Sequence, residues 1–328
     1  MYYLFTHFLF RKAMKVIEHL EESKGKTTFS FEIVPPPRGK SVKSVVDIVE
    51  KLVPYNPPWI DVTAHSAGAF YNEKKDGSVE RRIYKKRPGT IGICGIIQNR
   101  FKIDTVTHLL CNGFTKEETE DALIELQYLG IHNILALRGD GLNYSKKIDR
   151  SRRVNQYAID LVEQVEEMKQ GRFLDELSGA DPLEMCVGVA GYPEKHFEAP
   201  NMKYDLGWLK KKVDAGAEYV TTQMFYDNKH YWSYVEQCRA EGIDVPIIPG
   251  IKILKSVRQL QSIPKHFYIN FPDELVDEVM QNQDHVKEIG LRWAKKQVED
   301  LVNNGVPCVH FYIMNDTSSV IDVIKQFK

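Results

Sequence analysis

Ile134-Leu135-Ala136-Leu137-Arg138-Gly139-Asp140 is an apolar run that stops at a charged triplet. Four consecutive apolar residues with no polar alternation suit a strand buried on both faces, which is the mark of a parallel sheet. An Arg, a Gly and an Asp at the carboxyl end of such a strand stand where open α/β sheets and barrels gather their ligands. Taken alone, the triplet reads better as an ordinary strand exit, with Gly and Asp turning the chain and Arg in water. Its recurrence along the chain changes that balance.

Outward from this run the same layout repeats. Upstream, residues 29–34 alternate until Pro35-Pro36-Pro37, which cannot donate ladder hydrogen bonds and so end the strand. Residues 59–63 and 105–111 read as further strands, and downstream so do 184–190, 219–225, 246–251 and 308–313. Helical patterns fall between them: 45–52, about 91–98, 206–215, 231–240, a less regular section after Ser256, and a long helix carrying Val286, Ile289, Trp293, Val298 and Leu301. Another is marked by Val154, Ala158, Leu161, Val162 and Val165. Thr115 and Glu118 form a capping box ahead of Leu123 and Leu126, and Gly130 closes that helix. Eight strands mostly separated by helices, in a chain somewhat longer than the ~250 residues usual for the fold, predict a single-domain (β/α)8 TIM barrel. A doubly wound open sheet is second, weakened by the lack of GxGxxG after the first strand.

Composition excludes several classes. With 328 residues, 27% charged and a formal net charge of -1, the chain offers no electrostatic case for nucleic acid or an acidic membrane surface. Its five cysteines are scattered and lack CxxC spacing, so they read as reduced core thiols of a cytoplasmic protein. The apolar residues 1–10 precede Arg11-Lys12, the reverse of a secretory signal, and fall short of the ~20 apolar residues a span requires. Met14 opens a better amphipathic pattern, so 1–13 reads as an N-terminal extension, either an over-extended start or a floppy arm, and 14–328 as the barrel.

A barrel collects its strand carboxyl ends on one face. That face would hold Glu32, Thr63, His108, Arg138 with Asp140, Tyr192 with His196, Gln223 and Tyr312. HExxH and Cys/His clusters are absent from the sequence, so a metal site lacks ligands; GxxxxGK[ST] and GxSxG are absent too. A carboxylate half-buried on a strand can have its pKa raised and serve as a general acid near neutral pH. The residues alone therefore lead to a barrel enzyme with Glu32 as acid and an organic cofactor or ring substrate.

Ser30-Phe31-Glu32-Ile33-Val34-Pro35-Pro36, Val62-Thr63, His108-Leu109-Leu110-Cys111 and Ala136-Leu137-Arg138-Gly139-Asp140 resemble, in order, the motifs of the methylenetetrahydrofolate reductases. So do Tyr192-Pro193-Glu194-Lys195-His196, Thr222-Gln223-Met224-Phe225-Tyr226-Asp227, Ile247-Ile248-Pro249-Gly250-Ile251 and His310-Phe311-Tyr312. The likeness spans about residues 27–315 and looks like the short bacterial type, without a regulatory domain. It implies a flavoprotein in which NADH or NADPH reduces FAD and leaves, and 5,10-methylenetetrahydrofolate then takes the hydride in a ping-pong scheme. By the same resemblance Glu32 is the general acid, and Asp140 lies by flavin and pterin. Thr63, His108, Arg138, Gly139, Asp140, Tyr192, His196, Ala199, Asp205, Lys211 and Lys212 bind cofactor, and Gln223, Gln259 and Tyr312 bind folate. A homo-oligomer is also implied. The chain departs from the family's enteric pattern at Ala64-His65-Ser66, Trp208, Ile263 and Asp316. Two other readings remain: a folate- or flavin-binding barrel of different chemistry, such as methyl or methylene transfer, and a non-catalytic barrel.

Overall fold

Each of the eight runs read above as strands becomes a strand in the computed structural model, which describes residues 13–65, 67–139, 152–314 and 316–327; the residues 1–12 of the expected N-terminal extension lie outside the described residues. In chain order the strands are β1 (Thr28–Ile33), β2 (Trp59–Val62), β3 (Gly68–Glu73), β4 (Val79–Tyr84) and β5 (Asp104–Leu110). They continue as β6 (Asn133–Leu137), β7 (Cys186–Gly191), β8 (Tyr219–Met224), β9 (Ile247–Ile251) and β10 (Cys308–Met314). The helices are α1 (Val16–Glu22), α2 (Lys43–Leu52), α3 (Thr90–Phe101), α4 (Lys116–Tyr128), α5 (Ala158–Lys169) and α6 (Met202–Asp214). After them come α7 (Asn228–Ala240), α8 (Gln259–Phe267), α9 (Asp273–Gln281), α10 (Val286–Asn303) and α11 (Ser318–Ile324). Eight strands close in the order β1-β10-β9-β8-β7-β6-β5-β2, each parallel to its neighbours, and the (β/α)8 barrel of the sequence reading is what forms.

Side chains alternate across each strand, so one strand serves two cores. Phe31, Ile33, Ile60, Val62, Ile134, Val187, Val220, Val309 and Phe311 face outward and pack with the helices in the large apolar cluster. Trp59, Val106, Leu135, Cys186, Tyr219, Ile248 and Cys308 point inward and fill the lower barrel. Helix α1 stoppers that end with Val16 and Leu20. It is fixed there by Asn133, which donates through Nδ2 to the Met14 carbonyl at 2.9 Å and accepts from the Val16 N–H at 2.7 Å. A buried His19–Asp104 contact of 2.8 Å adds to the floor.

Four features depart from the sequence reading. The basic stretch after β2 folds as the antiparallel hairpin β3–β4, most of whose β4 residues are exposed. Its turn is set by the Asp76 carboxylate, which accepts from the Ser78 N–H at 2.9 Å, and by Gly77 at φ 79°. The irregular section after Ser256 is two helices, α8 and α9, with their own small core of Leu254, Ile263, Ile269, Leu275 and Val279. Helix α5 starts at Ala158, leaving Val154 in the preceding loop, and α11 follows the last strand. Among the described residues no helix is long and apolar enough to cross a membrane, and no group of His, Cys, Asp and Glu could hold a metal ion.

Candidate active site

The inward faces of β1, β2, β5 and β10 carry polar residues above the apolar floor, and these meet at the barrel axis. Glu32 lies two residues above Ser30 on β1, with its side chain 12% exposed. His108 Nε2 sits 3.7 Å from Glu32 Oε2 and donates to Asp61 Oδ2 at 3.3 Å. Asp61 Oδ1 lies 3.7 Å from His310 Nδ1, which is hydrogen-bonded to Ser30 Oγ at 2.9 Å. The Cys308 thiol donates to that same hydroxyl at 3.4 Å. Glu32, His108, Asp61, His310, Ser30 and Cys308 thus form one buried polar column leading from the mouth toward the floor.

Burial dominates the electrostatics. It raises the Glu32 pKa from 4.5 to about 7, with His108 and Lys252 pulling down and Asp61 pushing up. Burial also opposes charge on His108, but the Asp61 hydrogen bond and the charges of Glu32 and Asp61 outweigh it, and its pKa is raised. His310 is driven the other way, since burial and the neighbouring His108 exceed the pull of Asp61. The column therefore presents a carboxylic acid poised near neutral pH at the mouth.

The cofactor-binding candidates gather to one side, around β6, β7 and α6. The Arg138 backbone carbonyl accepts from Asn112 N–H at 2.9 Å, and its guanidinium pairs with Glu198, Nη2 to Oε1 at 2.9 Å, while lying 5.5 Å from the Tyr157 ring centre. Gly139, at φ 83°, turns the chain in the left-handed region open to glycine, and its carbonyl accepts from Asn112 Nδ2 at 2.9 Å. Tyr192 meets His196 edge-on at 4.6 Å, and Asp205 accepts from the His196 N–H at 2.9 Å. Ala199 is buried, and its carbonyl accepts from Lys195 Nζ at 2.8 Å. Consecutive helical residues diverge by about 100°, so the two lysines separate. Lys212 turns in, donates to the Ala190 carbonyl at 2.9 Å and is lowered by burial to about 8; Lys211 turns out over the Trp208 ring at 4.1 Å.

The folate-side candidates are more constrained. Gln223 Oε1 accepts from the Met224 N–H at 3.0 Å. Gln259 Oε1 accepts from the N–H groups of Lys255 and Ser256, at 2.6 and 3.2 Å, so its carbonyl end is spent on the loop after β9. Tyr312 donates its hydroxyl to the Thr222 carbonyl at 2.5 Å, across Gly250, where any Cβ would meet the Tyr312 ring at 2.6 Å. Thr63 Oγ1 is buried without a hydrogen-bond partner. Asp140 lies outside the described residues.

The sequence reading missed Asp61 and His310, although both carried a signal. Each is polar in an apolar strand and stands two residues before a candidate already on the inward face, Thr63 and Tyr312 respectively. Lys252, just past β9 and within electrostatic reach of Glu32, had no such cue.

The model of the family described as methylenetetrahydrofolate reductase matches residues 15–328. A relative from Arabidopsis thaliana, methylenetetrahydrofolate reductase (NADH) 1, is 29% identical over 95% of this chain and 50% of its own length. The 5,10-methylenetetrahydrofolate reductase of Pectobacterium carotovorum subsp. carotovorum is 30% identical over 95% of this chain and 93% of its own. The chain thus spans about half the length of the plant relatives it matches. Among solved structures, an uncharacterized Clostridium thermocellum protein, described as binding two copies of 5-methyl-5,6,7,8-tetrahydrofolic acid, aligns with a TM-score of 0.58. At 12% identity over 95% of this chain and 97% of that one, the likeness concerns the fold.

Proposed function

Because the chain belongs to the methylenetetrahydrofolate reductase family, we propose that it reduces 5,10-methylenetetrahydrofolate to 5-methyltetrahydrofolate with NADH or NADPH. The observation that carries this is Glu32, a carboxyl held at about 7 by burial at the mouth of the barrel. Opening the folate's five-membered ring to its reactive iminium form requires a proton on the departing nitrogen. An acid whose pKa matches the operating pH delivers it best. Gln223 and Tyr312 would hold the folate at the same mouth, and Asp140 would stand by the cation that forms.

The residues on the flank fit FAD. Arg138 and Lys212 provide cations for a pyrophosphate, and Tyr157, Trp208 and Tyr192 offer aromatic faces for planar rings. When bound, FAD supplies the relay that accepts a hydride from the nicotinamide and gives it to the folate. Arg138 must share its guanidinium with Glu198, a solvent-facing pair that costs little to rearrange. Thr63, His108, Gly139, His196, Ala199, Asp205 and Lys211 complete the proposed cofactor set. Donor and folate take turns at one face, hence a ping-pong order. On this reading the enzyme is cytoplasmic and homo-oligomeric and serves one-carbon metabolism and methionine synthesis.

Anaerobic stopped-flow of the purified protein tests this. One nicotinamide should bleach the flavin absorbance, and methylenetetrahydrofolate should restore it. Protein that takes up no flavin, or bleaches and is not recoloured by the folate, would overturn the proposal. Glu32→Gln should keep the first half-reaction and slow the second by roughly 10²–10⁴-fold, the usual contribution of a general acid.

A further inference from the structure

Asp61 is 1% exposed, on the inward face of β2, two residues below Thr63. It accepts one long hydrogen bond, from His108 Nε2 at 3.3 Å, and its Oδ1 has no hydrogen-bond partner. A buried carboxylate so thinly satisfied is costly to keep, since desolvation is repaid only by good geometry and full hydrogen bonding. The floor below it is apolar, and a neutral side chain would pack there without that penalty. What Asp61 does make is a contact that bears on the acid. The His108 nitrogen it holds is the same one that lies 3.7 Å from Glu32 Oε2, so a single imidazole edge stands between two carboxyl groups.

We propose that Asp61 is a positioning residue for the acid step: it fixes the His108 ring through Nε2–H and keeps it as an imidazolium beside Glu32. His108 thereby becomes a buried counter-charge that prevents Glu32 from binding its proton too tightly to give it up. This rests on the reading of Glu32 as general acid. The other groups facing the pair are His310 and Tyr312 on β10, Lys252 after β9, Tyr219 on β8, Cys94 on α3 and Cys308 below. Burial holds the tyrosines and thiols neutral, and His310 is likewise biased to its neutral form. Lys252 adds a second, weaker pull on Glu32.

The sign of the effect follows from two opposing influences. Asp61 itself favours the protonated form of Glu32, whereas the imidazolium it sustains disfavours it, and the imidazolium is the stronger of the two. Asp61→Asn removes both. The net result is a Glu32 that holds its proton to higher pH.

Three measurements test this. In the wild type, ¹⁵N NMR of the imidazoles should find His108 charged at pH 7 with a midpoint above the ordinary ~6.5; a neutral ring at pH 6 would overturn the proposal. In Asp61→Asn, the high-pH limb of folate-driven flavin reoxidation should move up by about one unit, a roughly tenfold larger residual rate at pH 9 relative to its own plateau. Reduction by the nicotinamide should keep its pH profile. A limb that stays or moves down overturns the idea; a merely structural Asp61 would lower the plateau and the melting temperature without shifting the limb. Should the wild-type flavin not be reoxidised by folate, the acid reading fails by itself. A ¹³C titration of the Glu32 carboxyl then still decides the coupling, an upward shift in Asp61→Asn supporting it and an unchanged midpoint overturning it.

Discussion

Glu32 binds a proton at pH values where an exposed glutamate would long have lost it, and this ties activity to stability. Its folded pKa of about 7 lies above the 4.5 of the free group, so the contribution to stability is complete below pH 4.5 and lost as pH rises through 7. At ~1.4 kcal/mol per unit, and discounted for the coupled neighbours, the loss is on the order of 2–3 kcal/mol. Glu32→Gln, which cannot ionise, should therefore melt several degrees above the wild type at pH 8 and within a degree or two of it at pH 5. Thermal denaturation at the two pH values checks this. Equal melting shifts at both would mean that Glu32 is not held neutral by its surroundings. On the role proposed for Glu32, the folate half-reaction should decline over the same window, as the protonated form disappears. A site that keeps such a group trades stability for chemistry.

Among the elements, α10 shows how closely the frame is fitted to the mouth it supports. Gly290 lies against the backbone of Leu254, in the loop after β9 that also carries Lys252 and leads into α8; a Cβ there would stand 2.0 Å from the Leu254 carbonyl oxygen. The obstacle is backbone, not a flexible side-chain end, so helix or loop must shift. Gly290→Ala should cost roughly 1–3 kcal/mol, as overpacking does, and weaken folate binding more than hydride uptake. Denaturant unfolding with half-reaction kinetics would show it, and an unchanged midpoint would refute it. Helix α4 was legible to the residue, because Thr115 and Glu118 satisfy each other's backbone N–H groups locally, at 3.1 and 2.8 Å. The β3–β4 hairpin was not. It pairs only with itself, buries little, and is tied to the loop after β1 by Arg38 N–H to the Lys86 carbonyl at 2.7 Å, a contact between distant residues.

For the whole molecule, closure of the barrel leaves two ends with different work, an apolar floor stoppered by α1 and a polar mouth. Leu20→Ala should destabilise by about 2–4 kcal/mol, the range for a large-to-small change in a core, and lower the melting temperature by roughly 3–6 °C. Both half-reactions should keep their rates at 25 °C, since the floor lies below the polar column; a specific loss of folate turnover would contradict this division. The sequence by itself determined the eight barrel strands, their alternation with helices and the closed barrel, and it put Glu32, Arg138 and Tyr312 at strand carboxyl ends. Those features rest on local periodicity and on the rule that parallel strands share one carboxyl end. Only the tertiary structure decided that His108 stands between Glu32 and Asp61, that Lys211 and Lys212 part company, and that Gln259 spends its carbonyl on the loop ahead of α8. Such relations arise between strands and helices far apart in the chain, and the burial that raises Glu32 to about 7 belongs to the closed barrel as a whole.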